Sequence, residues 1–223
     1  MILTILQART NSTRLPAKAL LPVNNLPMSI LAAERAKNNF SKMIVATSNE
    51  KSDDLLCKYF KEYEIEYFRG SLENVISRFV SIADSYKLNS GDTIIRLTGD
   101  NPVVDKYLLE DMLEVWTKNN FTYMQAQPDN LLNSNWPKGL SAEFFTYDSL
   151  IESFNNSDSP KVREHVTTDI KLAAPRYVYG ENINVDFKTK SCSVDTFEDY
   201  LHILDLFENH SSFEKYTNIL KKN

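Results

Sequence analysis

The sequence predicts a single α/β domain built on a mainly parallel, mixed sheet, and three observations support this fold class. Short apolar runs alternate with amphipathic segments of helix length up to about residue 120, which is the pattern of βαβ units. The 223 residues are enough to bury one full hydrophobic core. The composition, 42% hydrophobic and 25% charged residues, is that of an ordinary globular protein.

The first four elements follow from short apolar runs and from helix signals. Residues 1–6 are almost wholly apolar and predict a buried strand, and 43–48 form a second run rich in strand-forming residues. Residues 27–37 show an amphipathic helix pattern. Residues 52–63 predict another helix, in which Ser52 takes the N-cap position.

The next four elements continue the alternation. Residues 65–68 predict a short strand, and 71–86 predict a helix whose apolar side chains fall on one stripe. Residues 92–98 predict a further strand, and a helix is expected from about 105 to 118. Consecutive strands separated by helices of this length give a sheet with helices on both faces.

Beyond Phe121 the alternation weakens, and 121–160 is predicted to be an excursion that contributes to the acceptor site and to a dimer contact. The expected elements are a polar loop at 128–139, a strand at 140–147, a helix at 161–174, a hairpin around Gly180–Glu181, a strand at 191–194 and helix from Thr196 onward.

Composition excludes several function classes. The net charge of −5 argues against a general nucleic-acid-binding protein, which needs a basic face. No apolar run reaches the length of a membrane span, and the first residues lack a secretory signal pattern. Cys57 and Cys192 are too few for a disulfide framework or a structural zinc site. We therefore expect a cytoplasmic protein with reduced thiols.

A cluster of cations follows the first predicted strand in the segment "QARTNSTRLPAKAL" (7–20). Arg and Lys are the usual groups that neutralise phosphates, and ligands of open α/β sheets lie beyond the carboxyl ends of the strands. The segment has no glycine, so Asn11 is the residue expected to adopt a positive φ, and Pro16 stiffens the chain. A solvated basic loop without a ligand is the alternative.

Two aspartates are expected at the same edge of the sheet. Asp100 follows the strand 92–98, and Asp195 follows the predicted strand 191–194. Two carboxylates beside a triphosphate would make a magnesium site, because Mg²⁺ prefers a few hard oxygen ligands together with phosphate and water. The alternatives are an N-cap role for Asp195 and a turn role for Asp100.

Six motifs together resemble the cytidylyltransferases of surface-sugar biosynthesis, chiefly the spore-coat-polysaccharide type and more distantly the CMP-Kdo and CMP-sialic acid synthetases. They are "QARTNSTRLPAKAL" (7–20), "FRGSLENVISRF" (68–79), "RLTGDNPVVD" (96–105), "GLSAEFF" (139–145), "REHVT" (163–167) and "SVDTFED" (193–199). The resemblance implies a three-layer, Rossmann-like nucleotide-diphospho-sugar transferase fold.

The resemblance also implies roles for individual residues. Catalysis would rest on Arg14, Lys18, Asp100 and Asp195, with Mg²⁺ held by Asp100 and Asp195. The nucleotide would be bound by Ala8, Arg9, Ser12, Thr47, Ser48, Arg69, Gly70, Ser71 and Arg78. The acceptor would face Glu143, Arg163, Glu164 and His165.

Several of these residues also have purely structural interpretations. His165 is more often a hydrogen-bonded structural histidine than a base, and Arg163 and Glu164 could form a solvated helix face. Arg78 could instead pair with Glu73 or Asp84 on its own helix.

The sequence departs from the family pattern at three positions. Asn11 and Ala17 stand where many relatives have glycine, and Ser191 stands where relatives often carry arginine. These changes affect the path of the loop and a possible contact with an anionic substrate, so they bear on the choice of acceptor.

The implied reaction is transfer of CMP from CTP to an acid sugar, a sugar phosphate or a polyol phosphate of surface-glycan biosynthesis, with release of pyrophosphate. The partners would be CTP, a small anionic acceptor and a second copy of the chain, without nucleic acid or membrane. The alternatives are a glycosyltransferase that consumes a nucleotide sugar and a non-catalytic nucleotide-binding protein. The sequence does not identify the acceptor or a general base.

Overall fold

The structure, a computed structural model, describes residues 1–156, 159–173, 176–183 and 186–220. Its strands are β1 (Ile2–Gln7), β2 (Pro22–Val23), β3 (Leu26–Pro27), β4 (Lys42–Ser48), β5 (Tyr67–Gly70), β6 (Thr93–Thr98), β7 (Tyr123–Gln125), β8 (Glu143–Thr146) and β9 (Arg176–Val178). Its α-helices are α1 (Met28–Ala36), α2 (Asp54–Glu62), α3 (Val75–Ser85), α4 (Lys106–Thr117), α5 (Tyr147–Asn156), α6 (Pro160–His165), α7 (Thr168–Ala173), α8 (Phe197–Phe207) and α9 (Tyr216–Leu220).

The central sheet confirms the predicted fold class. Its strand order in the described residues is β5-β4-β1-β6-β8-β7-β9, and β8 is antiparallel to both of its neighbours, whereas the other pairs are parallel. Helices cover both faces of the sheet. Side chains of β1 point alternately to the two faces of the sheet and contribute to the hydrophobic core on each face. Leu3 and Ile5 belong to one hydrophobic cluster, and Leu6 belongs to the other.

The register of the three central strands brings their carboxyl ends together. Gln7 at the end of β1 is paired with Ala46 of β4 on one side and with Thr98 of β6 on the other. The segments that follow β1 and β6 therefore leave the sheet at the same edge, which is where a parallel α/β sheet places its ligands.

The helix predicted at 52–63 begins later than expected, and Ser52 is not its N-cap. The α-helix starts at Asp54 after a 3₁₀ turn over Lys51–Asp53, and the N-cap residue is Asp53. The Asp53 side chain does not cap the helix either, because it points inward and accepts hydrogen bonds from the loop that follows β1.

Three predicted elements of the second half are wrong in detail. The helix at 161–174 is divided into α6 and α7, since Val166 takes a positive φ of 57°. The hairpin is replaced at Tyr179–Asn182 by a 3₁₀ helix, while residues 174, 184 and 185 of these predictions lie outside the described residues. The strand at 191–194 is reduced to one bridge between Ser191 and Lys138.

The stretch 121–160 is built into the sheet, because it contributes β7 and β8. Its aromatic side chains offer little surface to a partner, because Tyr123, Trp136, Phe144 and Phe145 are all buried. Among the described residues, the large apolar side chains that this stretch exposes to solvent are Leu132 (96%) and Phe154 (37%).

The homodimer therefore stays a prediction, which rests on the resemblance and on the exposed apolar side chains of this stretch, chiefly Leu132. We expect multi-angle light scattering at micromolar concentration to give about twice the monomer mass, and a Leu132→Ser variant to shift the mass toward the monomer. A monomeric parent protein would contradict the prediction.

Within the described residues, no helix is long and apolar enough to cross a membrane. Cys57 and Cys192 are both buried and form no disulfide.

Candidate active site

A cleft of about 390 Å³ lies beyond the carboxyl ends of the central strands. It brings together many of the predicted site residues: Ala8, Arg9, Ser12, Arg14, Lys18, Arg78, Asp100, Glu164, His165 and Asp195. Gln7, Val75, Thr98 and Gly99 also line it and were not predicted. The cleft therefore joins the segment after β1, the turn after β6 and the end of α6, which are far apart in the sequence.

The loop after β1 is held in place by a buried carboxylate. Asp53 Oδ1 accepts hydrogen bonds from Thr10 N (2.7 Å) and Thr10 Oγ1 (2.6 Å). Burial raises the pKa of Asp53, but the hydrogen bonds from Ser48 and Thr10 outweigh this effect and leave the pKa below its usual value. The ionised carboxylate thus ties the loop to the end of β4.

The turn that closes this loop contains a left-handed residue, but at Ala17 and not at Asn11 as expected. Ala17 has φ 58° and ψ 20°, and its N–H donates to Thr10 O at 2.9 Å. An alanine in this conformation is strained, because its Cβ approaches the following carbonyl. The backbone takes the left-handed turn even though the position lacks a glycine.

Lys18 holds the two predicted metal ligands at one point. Its Nζ lies 2.7 Å from Asp100 Oδ2 and 3.2 Å from Asp195 Oδ1, and it also donates to Val194 O at 2.5 Å. Three donor directions of the ammonium group are thereby used. The sequence prediction that Asp100 and Asp195 meet at the sheet edge agrees with this geometry.

Asp195 is surrounded by cations. In addition to Lys18, Arg14 Nη2 lies 2.8 Å from Asp195 Oδ1, and Lys138 Nζ lies 2.9 Å from Asp195 Oδ2. Burial raises the pKa of this carboxyl, but Lys138 and Lys18 more than compensate and hold the pKa below its usual value. Asp195 is therefore ionised at neutral pH, and its charge is shared by three cations.

The N-cap alternative for Asp195 does not apply. Thr196 caps α8 instead, accepting a hydrogen bond from Asp199 N in a capping box with the Asp199 carboxylate. The Asp195 side chain is thus available to the cleft, and its backbone position is fixed by the hydrogen bond from Val194 N to Asp100 O (3.0 Å).

Four residues expected to bind the nucleotide, Thr47, Ser48, Arg69 and Gly70, do not line the cleft. Gly70 packs against the Arg78 side chain, since a Cβ added there would lie 2.7 Å from Arg78 Cγ. Thr47 and Ser48 are fully buried, and both hydroxyls donate to Asp53. They therefore hold the carboxylate that fixes the loop after β1. Arg69 points away from the cleft, since its guanidinium is engaged by Ser48 O, Glu50 O and the Asp54 carboxylate.

A second cleft, of about 430 Å³, adjoins the first and takes in two more of the predicted residues. Ser71 and Arg163 line this second cleft and not the first. Arg9 and Glu164 line both clefts, and Arg9 Nη2 lies 3.6 Å from Glu164 Oε1. This exposed ion pair therefore stands between the two clefts.

Glu143 does not face the cleft as expected, because its carboxylate is buried beside the end of β6. Arg96 forms an ion pair with it across the β6–β8 register. Lys171 Nζ lies 3.1 Å away, and the hydroxyls of Tyr123 and Thr167 donate to the same oxygen at 2.6 Å and 2.9 Å. Burial raises the Glu143 pKa, but Arg96 and Lys171 reverse this effect and lower it to about 2.

This buried cluster also supports the cleft indirectly. Arg96 Nε donates to the side chain of Gln7, which lines the cleft, and Thr167 N donates to His165 O at 2.5 Å. Glu143 thus positions cleft residues through Arg96 and Thr167 without touching the cleft itself.

Lys138 and Asp53 belong to the site but were not singled out from the sequence. Lys138 lies in a polar loop. The sequence feature that could have pointed to it as a site residue is its position directly before Gly139. Gly139 has φ +86° and packs against the Ser193 backbone, with an added Cβ only 2.6 Å from Ser193 N. This close approach brings Lys138 alongside Asp195.

Comparisons with known proteins agree with this geometry. A family model described as "Cytidylyltransferase" matches residues 3–220. The spore coat polysaccharide biosynthesis protein SpsF of Bacillus subtilis is 32% identical over 224 residues, covering 93% of this chain and 86% of that protein. The 3-deoxy-manno-octulosonate cytidylyltransferase of Polynucleobacter asymbioticus is 25% identical over 141 residues, covering 60% of this chain and 54% of that protein.

Solved structures show the same fold. A cytidylyltransferase from Leptospira borgpetersenii superposes with a TM-score of 0.85 at 27% identity, covering 98% of this chain and 91% of that one. A Mycobacterium tuberculosis protein solved in complex with manganese superposes with a TM-score of 0.60 at 16% identity, covering 92% and 97% of the respective chains, and so shows similarity of fold alone.

Proposed function

The chain belongs to the cytidylyltransferase family of CTP-dependent nucleotidyltransferases, and from this premise we propose that it transfers CMP from CTP to a small anionic acceptor, with release of pyrophosphate. The acceptor class is an acid sugar, a sugar phosphate or a polyol phosphate used in surface-glycan biosynthesis, and the place of reaction is the cytoplasm. Family membership removes the glycosyltransferase and the non-catalytic nucleotide-binding protein as interpretations.

The observation that carries this proposal is the meeting of Lys18, Asp100 and Asp195 at one point of a cleft that also contains Arg14. The Asp100 and Asp195 carboxylates neutralise Lys18 and Arg14. Both cations can exchange a carboxylate oxygen for a phosphate oxygen, because the two acceptors have similar charge and hydrogen-bonding geometry. Arg14 is 65% exposed, so it has the freedom to make this exchange.

The residues present fit a divalent cation, and we propose Mg²⁺ bound by Asp100 and Asp195. Within the described residues no group of three or more His, Cys, Asp or Glu side chains converges as an all-protein metal cage does. Two carboxylates that both contact Lys18 Nζ at the cleft suit Mg²⁺, which completes its shell with phosphate oxygens and water. When bound, such an ion supplies neutralisation of phosphate charge. The neighbour of the same fold solved with manganese supports a divalent ion.

Chemically, the acceptor oxygen attacks the α-phosphorus of CTP and the bond to the pyrophosphate breaks. Arg14 and Lys18 stabilise the negative charge that develops on the phosphate oxygens. A phosphate acceptor is already an anion at its reacting oxygen and needs no general base, whereas an acid sugar that attacks through a hydroxyl releases that proton to water. His165 and Glu164, which line the cleft, are the groups placed to orient such an acceptor.

The test is pyrophosphate release by the purified protein with CTP, UTP, ATP or GTP and a panel of acid sugars, sugar phosphates and polyol phosphates. We expect release with CTP and one acceptor class, and at least about tenfold less with each other nucleotide. Equal or faster release with a purine triphosphate would contradict the use of CTP. Release from CTP without any acceptor would indicate hydrolysis in place of transfer.

A further inference from the structure

Gln7 lines the cleft, although its position in the sequence gave it no role. It is the last residue of β1, and its backbone is paired with Thr98 of β6 on one side and with Ala46 of β4 on the other. Its side chain points to the same face of the sheet as Leu3 and Ile5, because side chains alternate along a strand. A carboxamide is therefore placed at the edge where ligands of such a sheet bind.

Arg96 fixes the orientation of the Gln7 carboxamide. Arg96 Nε donates to Gln7 Oε1 at 3.0 Å, and the guanidinium is itself held by its ion pair with Glu143. Since Arg96 can only donate, the amide nitrogen Nε2 is the end of the Gln7 side chain that is left for a ligand. Nε2 is bonded to no described residue and is not among the buried atoms without a partner, so it is accessible from the cleft.

Thr98 presents a second donor beside Gln7. It also lines the cleft, and it points to the same face as Arg96, which stands two positions earlier on β6. Asn101 Nδ2 donates to Thr98 Oγ1 at 2.7 Å, which leaves the hydroxyl proton for another acceptor. Two neighbouring side chains, Gln7 and Thr98, therefore turn donors toward the cleft.

The end of α6 lies over the same part of the sheet as the Gln7 amide. Thr167 Oγ1 donates at 2.9 Å to Glu143, the ion-pair partner of Arg96. Thr167 N donates to His165 O at 2.5 Å. His165, the last residue of α6, thereby joins Gln7 in lining the cleft. A group bound to Gln7 Nε2 consequently lies between the sheet and the end of α6.

The cations proposed to hold the triphosphate lie toward the opposite face of the sheet. Ala19, next to Lys18, and Val194, next to Asp195, pack in the hydrophobic cluster on the face opposite Gln7. The triphosphate and the Gln7 amide therefore occupy different sides of the cleft.

The Gln7 side of the cleft carries a surplus of positive charge. Arg9 and Arg78 both line the cleft, and Glu164 pairs with Arg9 alone. Arg78 donates to a backbone carbonyl and forms no ion pair with a described residue, so the expected alternatives Glu73 and Asp84 do not neutralise it. An anionic group is attracted here more strongly than a neutral nucleoside.

Resting on the proposed transfer to an anionic acceptor, we propose that Gln7 selects for that anion: its Nε2–H group donates to a carboxylate or phosphate oxygen of the acceptor, with the Thr98 hydroxyl donating beside it. A hydrogen bond to an ionised oxygen is about twice as strong as one to a neutral oxygen. The hydroxyl of a neutral sugar therefore gains less from Gln7. Because both donors are uncharged, they do not compete with Lys18 and Arg14 for the triphosphate.

The test follows the Gln7 amide by NMR. The chain has three glutamines, at 7, 125 and 127, so ¹⁵N labelling of glutamine side chains gives three pairs of signals, and Gln7→Glu identifies the Gln7 pair by its disappearance. The probes are the acid sugars and phosphates of the pyrophosphate assay, among them D-glucuronate with glucose as its neutral counterpart and α-glycerophosphate with glycerol. Each is titrated with and without CMP.

We expect one anionic class to shift the Gln7 signals saturably and its neutral counterpart to leave them unchanged. A preference for D-glucuronate or for α-glycerophosphate distinguishes a carboxylate from a phosphate. The Gln125 signals are the internal control, since Gln125 Nε2 is already bonded to Gln127 O and to Asp129.

Variants measure what the amide contributes to affinity. Gln7→Glu keeps an oxygen for Arg96 Nε but replaces the donors with negative charge, and Gln7→Met removes the donors without adding charge. We expect both to weaken binding of the anion about 10-fold or more, Gln7→Glu more steeply, and to leave CMP affinity within about threefold. Gln127→Glu is the matched control: it adds the same charge outside both clefts and keeps an oxygen for Gly139 N.

Unchanged Gln7 signals with every anionic probe, equal shifts with the neutral counterparts, or unchanged anion affinity in Gln7→Glu would each overturn the inference. A loss of CMP affinity as steep as the loss of anion affinity would also overturn it and assign Gln7 to the nucleotide. If the anion binds through Gln7 but pyrophosphate is never released from CTP, the proposed function fails and this inference stands. If pyrophosphate is released equally well by Gln7→Glu, the proposed function stands and this inference fails.

Discussion

Replacing Asp195 with asparagine is expected to lower kcat by about 100- to 1,000-fold while leaving the KM for CTP unchanged or lower. The amide keeps the shape of the side chain but removes the charge shared by Lys18, Arg14 and Lys138. Without their counterion these cations bind the triphosphate at least as well as before. One of the two carboxylates that would hold the divalent ion is lost, so the decrease in rate falls on the chemical step.

Asp100→Asn is also expected to lower kcat. The Asp100 carboxylate forms an ion pair with Lys18, whereas Asp195 pairs with three cations. Steady-state kinetics with varied CTP and Mg²⁺ measure both variants, and circular dichroism confirms that they fold. Asp111→Asn is the matched control, because Asp111 lies outside the cleft, 4.0 Å from Lys215. Normal turnover by Asp195→Asn at trace magnesium would contradict the metal assignment.

Replacing Glu143 with alanine is expected to lower the free energy of unfolding by about 3–5 kcal/mol, because the largely buried Arg96 side chain is left without its counterion. The Arg96 side chain is 15% exposed and the Glu143 side chain is 6% exposed, so hydration of Arg96 replaces little of the lost ion pair. Urea denaturation measures this change. Glu114→Ala is the control: its exposed pair with Lys118 on α4 is worth at most about 1 kcal/mol.

The same residue gives a prediction about pH dependence. Because the folded pKa of Glu143 is lowered to about 2 from 4.5, its ionised form stabilises the fold above pH 4.5. This contribution, about 3 kcal/mol at neutral pH, declines as the pH falls from about 4.5 through 2. Glu143→Gln should therefore flatten the acid limb of the stability profile. Identical acid limbs for the variant and the parent would contradict this account.

Several features were predictable because they depend on local patterns. The nearly continuous apolar run of residues 1–6 and the polar turn at Gly99–Asp100 require only neighbouring residues to be interpreted. Once the strands are known to be parallel, the rule that ligands lie beyond their carboxyl ends places the cations after β1 and Asp100 at one edge. The fold class and the principal cations and carboxylates of the cleft followed from this reasoning.

Other features could not be predicted, since they depend on which distant segments become neighbours. Glu143 was expected at the acceptor, but the insertion of antiparallel β8 between β6 and β7 places it opposite Arg96. Thr47 and Ser48 were expected to bind the nucleotide, but Asp53 folds back beneath the loop that follows β1 and accepts hydrogen bonds from both hydroxyls. Sequence periodicity indicates that a side chain is buried, but not which partner satisfies it.

The sequence by itself determined the α/β class, the edge at which the site lies and the charges available there. The tertiary structure alone decided which charges meet: Lys18 reaches Asp195 across 177 positions of sequence, and Arg78 is buried at the cleft without forming an ion pair with any described residue. The physical reason is that an ion pair requires its two atoms to lie within a few ångströms. Spacing along a chain fixes such a distance within one helix or one strand, whereas between distant segments it is fixed by sheet order and register.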